Sequence, residues 1–270
     1  MRRPSVGSAG KGEIAMKAVR SAPYAMSDAE WQTRCDLAAC YRLVAMMGWD
    51  DLLATHISAR LPDEDGRELF LLNPYGWLFE EITASSLVKI DAAGEIVGDS
   101  VHKVNRAGFV IHSAVHMARA DAGCVMHLHT LDGVAVSGVE GGLLPLNQTA
   151  MLINAQVAFH EFEGVAVDTD ERQRLARDLG TKDLMLLRNH GTLAVGRDIA
   201  DCFNKMYFFE RSCSVQVRTC GMNLPLHPAP PAAIAKANTF MEVSSPDYAA
   251  KYLWPAMLRR LDRQLPGYDS

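Results

Sequence analysis

Leu184-Met185-Leu186-Leu187-Arg188-Asn189-His190-Gly191-Thr192-Leu193-Ala194-Val195 reads as two short apolar strands folded about a polar turn. Four strand-forming residues lead in, Thr192–Val195 leads out as their hairpin partner, and Asn-His-Gly carries the turn signals. His190 stands just before the glycine, where a strand breaks and the chain can aim a side chain inward. Upstream, Gly123-Cys124-Val125-Met126 runs as a strand into His127-Leu128-His129. Side chains at i and i+2 of a strand share a face, so His127 and His129 offer two imidazoles to one point. Three neutral imidazoles with one position left open is how a catalytic divalent ion is held. One such histidine alone is more often an ordinary hydrogen-bonded side chain. The pair and the turn together point to a metal site with His127, His129 and His190 as ligands.

Working outward, Ser27-Asp28-Ala29-Glu30 has the S-x-x-E form of a capping box and opens a helix that Gly48 ends. Short strands are expected at 55–61, 68–73, 87–91 and 95–97, with hairpin turns at Pro62–Gly66 and Asp91–Gly94. Helices follow at about 107–120, from the acidic cap Asp168-Thr169-Asp170 to about Leu179, and from about Ile199 to Cys220. Pro225–Pro231 breaks the pattern and begins a tail whose segment Tyr248–Leu261 again reads as helix, with Trp254 and Arg259-Arg260. Three regions result: an N-terminal arm (1–26), a catalytic domain (27–221) and a tail (222–270) that packs on the domain or on a neighbouring subunit. Hairpins first and helices interspersed later predict an α/β fold, a three-layer α/β/α sandwich on a mixed, mostly antiparallel sheet.

The 270 residues carry a net charge of -5 and are 49% hydrophobic. That is room for a large core and no electrostatic footprint for nucleic acid. No apolar run approaches the length of a membrane span, and the basic N-terminus lacks the apolar stretch of a secretory signal. Gly7–Gly12 (GSAGKG) resembles a phosphate loop only superficially. The six cysteines form no CxxC and read as reduced, buried side chains, so a cytoplasmic location is expected.

The motifs together resemble the class II aldolase/adducin family. The resemblance runs from about Ser27 to Gly221, through the strand Thr55–Arg60, Asn73-Pro74-Tyr75-Gly76, Asn105-Arg106-Ala107-Gly108, HLHT, LLRNHGTLAVG and ERSCSVQVRTCG. It implies a nine-stranded, mostly antiparallel sheet, a cyclic tetramer with sites at subunit boundaries, and metal ligation by His127, His129 and His190. Two departures are visible. Family aldolases open the central helix with a glutamate that serves the metal and acts as acid/base, and Gly108 stands in its place here. The small polar groups that hold a sugar phosphate are replaced at what look like His56, Tyr75-Gly76 and Arg106-Ala107.

Retro-aldol cleavage needs a base, worth about 10²- to 10⁴-fold in rate, whereas a carboxylate loses CO₂ without one. The expected activity is therefore a metal-dependent decarboxylase of a hydroxylated aromatic or heteroaromatic carboxylate, with Mn²⁺ or Zn²⁺ as cofactor. Arg106 can clamp a carboxylate, and Tyr75 or His56 can meet a ring or donate a proton. His160 is a further candidate donor. Arg188 divides between substrate contact and a structural ion pair. His112 and His116, four apart on one helix, are read as core side chains ahead of a metal pair. Two rivals stand beside this reading: a sugar-phosphate aldolase or epimerase, and a non-enzymatic adducin-like assembly module.

Overall fold

The computed structural model describes residues 26–62, 66–164, 169–239 and 245–270, without the side chains of residues 106, 107, 110, 169 and 170. The expected N-terminal arm apart from Met26, the GSAGKG run, most of the Pro62–Gly66 turn and the Asp168-Thr169-Asp170 cap lie outside the described residues or side chains. Seven strands form one sheet: β1 (His56–Arg60), β2 (Leu69–Leu72), β3 (Val88–Asp91), β4 (Cys124–Leu128), β5 (Val157–His160), β6 (Leu184–Leu187) and β7 (Gly191–Gly196). Their order is β3-β2-β1-β4-β7-β6-β5. All neighbouring pairs are antiparallel except β5 with β6.

The helices are α1 (Asp28–Met46), α2 (Arg106–Ala118), α3 (Leu131–Ser137), α4 (Gln148–Ile153), α5 (Thr169–Leu179), α6 (Ile199–Gly221), α7 (Pro231–Asn238), α8 (Pro246–Tyr248) and α9 (Trp254–Gln264). Ser27 caps α1, its hydroxyl accepting from the Glu30 N–H at 3.2 Å. The Glu30 carboxylate meets Arg34 and Lys89, each at 2.8 Å. A parallel pair cannot be closed by a tight turn, and α5 is the crossover that joins β5 to β6.

Strand alternation sorts the core into two layers. Ile57, Ala59, Cys124, Met126, Leu128, Leu184, Leu186 and Ala194 pack with α1 and α6 residues such as Leu37, Tyr41, Phe203 and Met206. On the opposite face Val125, Met185, Leu187, Leu193 and Val195 meet Ile111 and Val115 of α2 and Leu175 and Leu179 of α5. Three layers result, as the sequence led us to expect. The same alternation turns His56, Ser58 and His127 towards α2.

The sheet has seven strands among the described residues where the family resemblance implied nine. Residues 95–97 contribute only one bridge, Ile90 to Ile96, because the Asp91–Gly94 turn leads straight back along β3 without a longer register. The sequence reading also passed over α3, α4 and α7, each eight residues or fewer.

In the tail, Trp254 donates its Nε1–H to Asp36 Oδ1 at 2.8 Å and packs edge-on against Phe203. Leu261 and Tyr268 are buried with it. These residues pack on this chain's own α1 and α6. Five cysteines are buried and none forms a disulfide among the described residues, but Cys220, expected to be buried, is exposed at the end of α6. No helix among the described residues is long and apolar enough to cross a membrane.

Candidate metal centre

His127 and His129 lie on and just beyond the end of β4, and His190 sits in the turn from β6 to β7. Because β4 and β7 pair directly, the turn is folded back over the end of β4. Two local features shape it. Asn189 has φ of 56°, a left-handed conformation in which Asn is among the better tolerated non-glycine residues. At Gly191 a Cβ would run into the carbonyl of Leu128, so only a glycine lets the two backbones approach. Gly191→Ala should therefore lower the stability of the metal-free protein by about 3 kcal/mol, read as a shift of the urea midpoint. An unchanged midpoint would remove this explanation of the Asn-His-Gly turn.

The ligating atoms of His127, His129 and His190 all lie within 4.8 Å of one another. The ring centroids are 4.7, 4.7 and 4.8 Å apart. His127 Nδ1 is 3.0 Å from the Thr192 carbonyl, and His129 Nδ1 is 3.0 Å from Asp51 Oδ2. A carbonyl and a carboxylate accept only, so both Nδ1 atoms carry a proton, and in the neutral rings that bind a metal both Nε2 atoms present lone pairs. Those two Nε2 atoms face each other at 2.9 Å. Two lone pairs at that distance repel unless a cation or a proton lies between them. At His127 burial opposes the proton. It holds His127 well below its ordinary pKa and pushes His190 down to about 4, neighbouring imidazoles adding to both effects. The donor set fits a divalent ion of the imidazole-binding kind, with both outer partners fixing ring orientation.

Thr192 is itself held from below. Its hydroxyl donates to Glu210 Oε1 at 2.5 Å, and the Thr130 hydroxyl donates to Oε2. Glu210 on α6 is buried, which pushes its carboxyl up to about 7.

His56 opens β1 directly opposite His127 in the ladder, their rings 5.4 Å apart. A Cβ on Gly108, in the first turn of α2, would collide with the His56 imidazole. The space a larger residue 108 would need is thus filled by His56. Arg106 is the first residue of α2, but its side chain lies outside the description. Tyr75 is exposed in the turn after β2, where its N–H donates to the Lys103 carbonyl at 2.7 Å. His160 is buried at the end of β5, its Nδ1 2.8 Å from Asp178 Oδ2. His160 shares a small pocket with Glu171, Arg188 and His190. Arg188 spends both terminal nitrogens on the carbonyls of Val139 and Glu140, at 2.6 and 3.0 Å, and stacks over Phe159. That is an anchoring role.

His112 and His116 share a face of α2 that looks onto β1. Each meets the Ser58 hydroxyl, at 2.6 and 2.7 Å. Sequence reasoning missed Ser58, Asp51, Thr192 and Glu210. Only Ser58 left a signal, two residues after His56 on the same strand face. Thr192 lies two residues after His190 without a pattern to mark its role, and Asp51 and Glu210 arrive from distant segments.

The family described as Class II Aldolase and Adducin N-terminal domain matches residues 35–217. The chain is 49% identical over 246 residues to a Caulobacter vibrioides protein named "Putative aldolase class 2 protein", covering 90% of this chain and 94% of that one. It is 42% identical to alpha-adducin of Rattus norvegicus over 189 residues, 69% of this chain and 25% of that one. Among solved structures it is similar to an L-fuculose 1-phosphate aldolase from Glaciozyma antarctica, with a TM-score of 0.75 and 25% identity. That match covers 92% of this chain and 97% of the other.

Proposed function

Because the chain belongs to the class II aldolase and adducin family, we propose that it is a divalent-metal-dependent carbon–carbon lyase, specifically a decarboxylase of a hydroxylated heteroaromatic carboxylate. The substrate to test first is 3-hydroxy-2-methylpyridine-4,5-dicarboxylate, an intermediate of vitamin B6 degradation. The observation that carries the reading is the facing pair of bare His127 and His129 nitrogens, closed by His190, beside a helix start where Gly108 supplies no carboxylate. When bound, a divalent cation would supply Lewis acidity, stabilising negative charge that develops on a substrate oxygen.

The chain's own residues do the rest. Thr192 and Asp51 fix the rings of His127 and His129, so the site is shaped before substrate arrives. Arg106, at the head of α2, is the candidate clamp for a second carboxylate. His160 opens on the same pocket as His190 and is the candidate to return a proton to the carbon that has lost CO₂. A cyclic tetramer is part of the proposal, and solution mass measures it.

One observation favours a second reading. His56 fills the space beside Gly108, so an imidazole stands where family aldolases have their basic glutamate. A sugar-phosphate aldolase would use it. Zinc- or manganese-loaded protein given the pyridine dicarboxylate should release CO₂, and loaded protein given L-fuculose 1-phosphate should be inert. Brisk cleavage of the sugar phosphate with no CO₂ from the pyridine reverses the order. A protein that binds neither metal leaves the adducin-like scaffold.

A further inference from the structure

A row of buried polar groups runs from the metal centre along the α2 face of the sheet. His56 Nδ1 is 2.7 Å from His112 Nε2. His112 Nδ1 is 2.6 Å from Ser58 Oγ, and Ser58 Oγ is 2.7 Å from His116 Nε2. The row ends at the Ala122 carbonyl, 3.0 Å from His116 Nδ1. His112, Ser58 and His116 are all 1% exposed or less.

The far end sets the direction. A carbonyl only accepts, so His116 donates from Nδ1 and its Nε2 is a lone pair. Ser58 must then donate to His116, which leaves its oxygen to accept from His112 Nδ1–H. His112 Nε2 is in turn an acceptor, filled by His56 Nδ1–H. Four hydrogen bonds consume the four protons of three neutral imidazoles and one hydroxyl, and none remains for His56 Nε2. Burial keeps the rings neutral: His56 is 5% exposed and His112 and His116 are 1% or less, and a buried imidazole disfavours its charged form. That Nε2 lies against Gly108, on the ring that faces His127 across the ladder.

We propose that the row His56–His112–Ser58–His116 fixes His56 Nε2 as a proton-free acceptor, and that the site therefore selects a substrate group presenting an O–H to it beside the metal. The ligand preference rests on the metal reading above; the proton placement does not. On this proposal His56 accepts a hydrogen bond where the sequence reading had it meet a ring or donate a proton. A hydroxyl bound here finds a partner, whereas a methyl ether leaves a buried nitrogen unpaired, and a lost hydrogen bond of that kind is worth about tenfold or more in affinity.

Nitrogen-15 histidine spectra of the metal-free protein at pH 7 read which ring nitrogen carries each proton. His56, His112 and His116 should all be protonated at Nδ1 and bare at Nε2. In Ser58→Ala the row loses its hydroxyl, His112 becomes free to donate from Nε2, and His56 should switch to an Nε2–H. Wild-type spectra decide the placement even where that variant does not fold. A wild-type His56 protonated at Nε2 overturns the proposal.

On zinc-loaded protein, glycolate should bind about tenfold or more tighter than methoxyacetate, and Ser58→Ala should lose that preference. Equal affinities in the wild type overturn the selectivity. Failure to bind zinc overturns the metal reading and the ligand preference with it, while the metal-free spectra still decide the proton placement.

Discussion

His129→Ala should purify without metal, fail to take it up, and lose turnover by on the order of 10³-fold, the several kcal/mol of charge stabilisation that a Lewis acid supplies. Its fold should survive. His129 is only partly buried, and its partner Asp51 is half-exposed, so the lost hydrogen bond costs about 1 kcal/mol. The substitution also removes one of two nitrogens whose lone pairs face each other at 2.9 Å. The metal-free variant should therefore unfold within about 1 kcal/mol of the metal-free wild type. His127→Ala does not separate these effects as cleanly, because His127 is buried and tied to Thr192. Metal analysis, turnover and urea unfolding on one preparation give the answer. A variant holding stoichiometric metal and working at the wild-type rate would end the metal reading.

The second large effect is acid lability of the metal-free protein. Burial lowers His56 and His116 to about 3 and His190 to about 4, from an ordinary value of 6.5. Between roughly pH 6.5 and 4 these rings bind protons only when the chain is unfolded. Stability is therefore fully present above 6.5 and falls as pH drops through that window. Each such group contributes up to about 1.4 kcal/mol per pH unit, so three give a limb of about 4 kcal/mol per unit. His112 and His127, lowered in the same direction, steepen it. Urea unfolding at pH 7.5, 6.0 and 5.0 should show the midpoint falling steeply towards pH 5, with Glu210, raised to about 7, offsetting only one histidine's share of the fall. Zinc saturation should delay the collapse, since the ion competes with protons for the nitrogens of His127, His129 and His190. A flat profile down to pH 4 would mean that water reaches these rings.

Much of this was legible in the sequence because it is local. His127 and His129 share a strand face by alternation alone, and Asn189-His190-Gly191 announces a turn. The cap at Ser27, the hairpin of β6 with β7 and the three-layer architecture follow from patterns a few residues long. What stayed hidden is what the folding brings together. Ser58 reads as an unremarked strand residue until α2 is laid across β1 and two of its histidines close on the hydroxyl. Asp51 and Glu210 reach the site from a loop and from α6, with no spacing rule to connect them. The i, i+4 pair His112 and His116 was ambiguous for the same reason: helical spacing shows that they share a face, not what lies opposite. The short helices α3, α4 and α7 hold too few turns to print a periodicity.

The ladder between β1 and β4 sets His56 opposite His127 and Ser58 opposite Val125. A strand repeats every two residues, so sliding β1 by a single position would invert it. An imidazole and a hydroxyl would be pressed among aliphatic side chains, and Ile57 would be delivered beside the three clustered histidines. Mispairing is thus penalised twice, by stranded polar atoms in the interior and by dispersal of the histidine cluster. Single-residue insertions or deletions within 56–60 or 124–128 should be far less tolerated than in the loops that join them, and a chain that has found its fold has, by the same contacts, gathered its histidines.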